Sequence, residues 1–86
     1  MNSYPRMAKC FEQALGIPAD QVTASLSYNS IKQWDSVAHM ALVAALEAEF
    51  DIMLDTDDIL AMSSVAVARQ ILEKYGIVFE GPTVPA

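Results

Sequence analysis

The chain reads as all-α: a small bundle of three longer helices and one short helix, with a long loop between the first and second helices. Three observations predict this. Apolar residues recur at helical spacing in three separate windows, and no strand-period run extends beyond a few residues. Helix punctuation (Gly16, Asp35-Ser36, Ser63-Ser64, Gly76) falls at the ends of those windows. At 86 residues the chain has room for one domain with a thin core, which favours a module that other proteins act upon over an enclosed active site. The domain is expected to span 1–78, and the Gly- and Pro-containing stretch 79–86 is expected to be a flexible tail.

The first helix is expected from Tyr4 to Leu15. Ser3 can cap it, Pro5 is tolerated in its first turn, and Met7, Phe11 and Leu15 form a buried stripe. Gly16 ends it, and Ile17-Pro18 prevents its continuation. The segment from Ala19 to Asp35, rich in Ser, Asn, Gln and Thr, reads as a loop pinned to the core by Val22, Leu26, Tyr28, Ile31 and Trp34. Loops of that length are uncommon in compact domains and are often functional. The second helix starts at Asp35 or Ser36 and runs to about Phe50, a stretch dense in strong helix formers. A short helix is expected between Asp55 and Met62, with acids in its first turn. Ser63 or Ser64 caps a last helix through Tyr75, whose stripe is Val65, Ala68, Ile71, Leu72 and Tyr75, and Gly76 stops it.

Charge is distributed unevenly. The net charge is −6, and Gln33 to Ala68 holds seven acids without a Lys or Arg, whereas the remainder holds four acids and five bases. An acidic pole repels nucleic acid and anionic membrane and steers the molecule toward basic protein surfaces. The longest apolar run, Met40 to Leu46, falls well short of the ~20 residues that span a bilayer. No signal peptide is recognised at the N-terminus, and one cysteine, Cys10, makes neither an internal disulfide nor a zinc site, so a cytoplasmic protein is expected.

At about 100° per residue, Leu42, Val43, Leu46 and Phe50 share one side of the second helix and form its core face. Val37, Ala41, Ala44, Ala45 and Ala48 share the other side, flanked by Met40, Glu47 and Glu49. A solvated helix face usually carries charge, so this uncharged surface reads as a place where a partner docks.

At the junction of the long loop and the second helix stands Trp34-Asp35-Ser36-Val37. It resembles the Asp-Ser-Leu motif of acyl carrier proteins, with Val37 in place of leucine. The similarity continues through Phe11 to Gly16, Ile17 to Val22, Ala45 to Ile52, Asp57-Asp58-Ile59 and Ser63-Ser64-Val65, covering roughly Met7 to Tyr75. The resemblance implies an acyl-carrier-like bundle that is not an enzyme. It implies a 4′-phosphopantetheine cofactor, covalently attached to Ser36 by a phosphopantetheinyl transferase using coenzyme A, whose thiol carries acyl groups. It further implies that Asp35, Val37, Glu47 and Glu49 meet partners: the transferase and acyl-loading, condensing or acyltransferase enzymes with basic surfaces; Met40, Ala41 and Ala44 join them from the uncharged docking face. A monomer is the default for such carriers. Two departures stand out. Ala38, His39 and Ala41 occupy turns where many family members place further acids, and Ile31-Lys32-Gln33-Trp34 replaces the usual glycine-containing approach. The resemblance implies a carrier in fatty-acid, polyketide or other specialised lipid or secondary-metabolite biosynthesis, and these departures point away from standard fatty-acid synthesis enzymes toward a stand-alone carrier for a specialised pathway, such as polyketide or other secondary lipid, or surface carbohydrate decoration. A peptidyl or aminoacyl carrier, or an unmodified helical adaptor, are the competing readings.

Other signals are weaker. His39 reads as a packed, hydrogen-bonded histidine without a triad. Asp55 to Asp58 lacks the glycine and glutamate of a calcium loop, so no metal is expected. Met7, Met40, Met53 and Met62 fill core gaps or line an acyl path.

Overall fold

The computed structural model describes residues 3–79. Within them the order is α1 (Tyr4–Leu15), a 3₁₀ turn (Ala19–Gln21), α2 (Ser36–Phe50), α3 (Thr56–Ala61) and α4 (Val65–Lys74). This is the expected all-α architecture of three longer helices and one short one. Among the described residues the extended pairing is a single bridge between Ser27 and Ser64. The tail expected from residue 79 falls, from 80 onward, outside the described residues.

The helix ends follow from backbone chemistry. Gly16 adopts a left-handed conformation (φ 67°, ψ 40°) and, with Ile17, returns amide bonds to the Glu12 carbonyl. Glycine takes that conformation without a Cβ penalty. At the other end of α1 the expected cap is not made. Ser3 is already helical (φ −83°, ψ −8°), and its side chain forms no capping bond. A capping side chain needs extended backbone to reach the second or third amide. Pro5 in the first turn leaves fewer amides to satisfy. Asp35 does cap α2: its backbone is extended and its Oδ1 accepts the Ala38 amide at 2.9 Å. Asp51 closes α2 in the left-handed region at φ 54°, a conformation that Asp tolerates better than most residues. Ser64 caps α4 by accepting the Val67 amide at 3.1 Å.

The core runs between all four helices. Met7, Phe11, Trp34, Leu42, Leu46, Met62, Val65 and Leu72 are essentially unexposed. The main helix pairing is α1 against α2. Arg6 strengthens it at one end: its Nε donates to Glu49 Oε2 at 2.7 Å, and its guanidinium lies over the Phe50 ring. Of the expected loop anchors, Val22, Leu26 and Trp34 are buried and Ile31 is half-buried. Tyr28 differs, being 38% exposed, with its ring edge-on to both Trp34 and His39. Backbone bonds fasten the loop to the start of α4: the Tyr28 amide donates to the Ser63 carbonyl at 2.8 Å, and the Val65 amide to the Leu26 carbonyl at 3.0 Å. These bonds and the buried Trp34 fix where α2 begins.

Candidate functional site

Ser36 is the first residue of α2, and it is exposed. Asp35 takes the Ala38 amide with its side chain and the His39 amide with its carbonyl. Among the described residues this leaves the amides of Ser36 and Val37 open to an outside acceptor, at the helix end where an anion is favoured. A phosphodiester on Ser36 therefore fits the local electrostatics, and the neighbouring Asp35 carboxylate is already committed to its capping bond.

Ser36 also borders a cavity of about 330 Å³, lined by Tyr28, Ser36, His39, Met40, Ile59, Leu60, Met62 and Ser63. The lining comes from three places: the long loop, the first turns of α2, and α3 with its exit. None of the lining side chains is an acid, a Lys or an Arg, and four of the eight, Met40, Ile59, Leu60 and Met62, are aliphatic or thioether. An uncharged hollow beside an exposed hydroxyl suits an apolar chain tethered at that hydroxyl.

The residues picked out along α2 separate into three groups. Ser36 and Met40 share the cavity. Asp35, Val37, Ala41 and Ala44 are exposed on the outside of the helix, Val37 at 78%. Ala45, expected on that outer face, is half-buried against the core instead. Glu47 and Glu49 lie at the far end of α2, Glu47 eleven residues from Ser36, roughly 16 Å along the axis. Both have internal partners: Glu47 Oε2 accepts the Leu54 amide at 2.8 Å, and Glu49 holds Arg6. Glu47 thereby organises the turn after α2.

Sequence reading leaves Tyr28, Ile59, Leu60 and Ser63 out of the site. Tyr28 reads as a loop anchor, and the α3 residues become neighbours of Ser36 only through the fold. The spacing Trp34 to His39 is the one local hint, since it lets the indole reach the imidazole (3.0 Å) across the start of α2.

The groups that would serve nucleophilic chemistry are tied down. Both His39 nitrogens are hydrogen-bonded, to the Trp34 indole and the Ile59 carbonyl. Cys10 lies on the α1–α2 seam with its thiol directed to the Ala45 carbonyl; burial pushes that thiol up to about 11, with Glu49 adding to the rise and Arg6 opposing it. Among the described residues no group of three His, Cys, Asp or Glu side chains is arranged to hold a metal ion, and no helix is long and apolar enough to cross a membrane.

A family model described as "phosphopantetheine attachment site" matches residues 5–67. The chain is also 30% identical over 76 residues to a protein of Bdellovibrio bacteriovorus named acyl carrier protein, an alignment covering 88% of this chain and 97% of that protein.

Proposed function

The chain belongs to the phosphopantetheine attachment site family, as an acyl carrier with a covalent 4′-phosphopantetheine group, and we propose that the group is joined to Ser36. One observation carries the choice: Ser36 presents its hydroxyl at the first position of α2, beside open helix amides and at the edge of the apolar cavity. The bound group supplies a thiol that forms thioesters with acyl cargo. The chain's own residues do the rest. Asp35 fixes the helix start, the Ser36 and Val37 amides face the phosphate position, and Met40, Ile59, Leu60 and Met62 offer an apolar wall to the cargo.

Partner enzymes are proposed to dock on the exposed outer surface of α2, through Asp35, Val37, Met40, Ala41 and Ala44. Val37, 78% exposed, is the large apolar group of that surface, and Met40, 56% exposed, stands at its edge where the helix meets the cavity. Glu47 and Glu49 are proposed to meet basic partner residues at the other end of the helix, sharing their oxygens with the Leu54 amide and Arg6. The absence of acids at Ala38, His39 and Ala41 supports a specialised pathway, polyketide or other secondary lipid, over standard fatty-acid elongation. A cytoplasmic monomer acted on by its partners completes the reading.

The test is incubation with coenzyme A and a broad-specificity phosphopantetheinyl transferase, read by intact mass. Wild type gains one phosphopantetheine and Ser36→Ala gains none. Addition to the Ser36→Ala variant would move the attachment elsewhere, and no addition to wild type by several transferases would overturn the carrier reading. The pathway is checked separately: efficient turnover of the loaded protein by fatty-acid elongation enzymes would remove the case for a specialised one.

A further inference from the structure

His39 stands where the cavity, α2 and α3 meet. Its Nδ1 accepts the Trp34 indole N–H at 3.0 Å, and Nε2 lies 2.9 Å from the Ile59 carbonyl. An indole N–H can only donate, so Nδ1 is the acceptor and Nε2 carries the proton that is given to Ile59. Trp34 is wholly buried, and its ring plane lies 21° from that of the imidazole it bonds. The ring is therefore aimed from behind by a group with no room to move.

The acceptor is equally telling. Ile59 lies in the second half of a helix of six residues. The last four carbonyls of an α-helix have no partner within the helix, and His39 satisfies one of them from outside. α3 is thus gripped from two sides. On the α4 side, Asp58 accepts from Lys74 and from the Tyr75 hydroxyl (2.7 Å), while the Asp55 amide donates to that same hydroxyl at 3.0 Å. On the α2 side, among the described residues, the polar link is the His39–Ile59 bond alone. Ile59 and Leu60 also form the cavity wall facing Ser36 and Met40. The bond that holds α3 to α2 is therefore the bond that holds this wall in place.

We propose that His39 is the latch of the cavity: its hydrogen bond to the Ile59 carbonyl keeps α3 against α2, and opening of that bond lets α3 turn about its α4 attachment and admits or releases cargo. His39 is a positioning residue, acting through α3. The latch is a property of the chain without its arm; only the identity of what enters the cavity rests on the carrier reading.

Two readouts test it on wild type, His39→Ala and His39→Gln, whose amide offers both a donor and an acceptor. The first is amide hydrogen exchange of the unmodified protein. Loss of one net hydrogen bond corresponds to roughly five-fold easier opening, so exchange at residues 59–62 rises by about that factor in His39→Ala while α1 is unchanged, and His39→Gln recovers part of the protection. The second is emission of a solvatochromic fluorophore transferred to Ser36 from its coenzyme A conjugate; in His39→Ala it shifts toward the water-exposed dye. Uniformly faster exchange in all helices, or no change at 59–62, overturns the latch. Should His39→Ala not fold, His39→Phe decides, because it keeps a ring in place without the donor to the Ile59 carbonyl: it must give the same local rise at 59–62, and the absence of that local rise refutes the proposal. Failure of wild type to accept the fluorophore would count against the carrier reading, while the exchange result still judges the latch.

Discussion

The two flanks of α2 are built differently. Toward α1 it is closed: Leu42, Leu46 and Phe50 are buried in the shared core, Cys10 is directed to the Ala45 carbonyl, and Arg6 clamps Glu49 and Phe50. Toward α3 it is hollow: Met40 and His39 look onto the cavity, and the opposing wall is a six-residue helix whose Leu60 is 77% exposed. A dense flank supplies stability through burial and packing, and the hollow flank leaves an uncharged cavity, the proposed place for cargo, at a cost in packing. One helix serves both because its apolar residues extend almost all the way around it, a pattern that would mark a fully buried helix in a larger protein.

Matched truncations test that contrast most strongly. Leu46→Ala removes a fully buried side chain from the dense flank and is expected to cost about 2–5 kcal/mol. Leu60→Ala, on the exposed wall, is expected to cost under about 0.5 kcal/mol. Urea midpoints of the two variants measure the difference, and equal costs would show that the flanks are not distinct. Next in size is the helix start that both flanks share. Asp35→Ala loses the bond to the Ala38 amide and is expected to cost about 1 kcal/mol; the same urea series reads it, and no shift would mean that Trp34 alone sets the start of α2.

The smallest expected effect concerns the hollow flank's outer attachment. The Asp58 carboxyl is held below its ordinary value by hydrogen bonds from Lys74 and then Tyr75. A depressed carboxyl contributes stability that is present above its unfolded value and lost as pH falls through the folded one. Lys74 and Tyr75, each raised chiefly by the bond to Asp58, contribute stability that is lost as pH rises through their folded values. Stability plotted against pH is therefore expected to fall at both the acid and the alkaline end, and Asp58→Asn flattens both limbs. A variant that retains both limbs would place the pH dependence on other groups.

Much of the fold is legible in the chain because local chemistry punctuates it. Gly16, Asp35, Ser64 and Gly76 mark helix ends through backbone conformation and capping, which act within a few residues. Asp51 is less legible: a non-glycine residue in the left-handed region carries no signal as strong as glycine's. Ser3 misleads for the opposite reason, since a serine before a helix reads as a cap whether or not its backbone is extended. Ser36 is marked by its motif, but the cavity beside it is not, because Tyr28, Met40 and Ile59 are brought together by tertiary contacts. The same holds for the carboxylates. Glu47 and Asp58 read as surface acids, and only the fold turns them onto the Leu54 amide and the α4 side chains.

The seam between α1 and α2 also settles a question of chemical selectivity. The chain has one cysteine, and that thiol is buried, directed to a carbonyl and pushed up to about 11, so near neutral pH it offers almost no thiolate to an electrophile. A sulfur borne outside the folded core has no competitor in the polypeptide. Thiol-directed reagents would then report on such an arm alone, and disulfide crosslinks formed under mild oxidation would join arms and not cores.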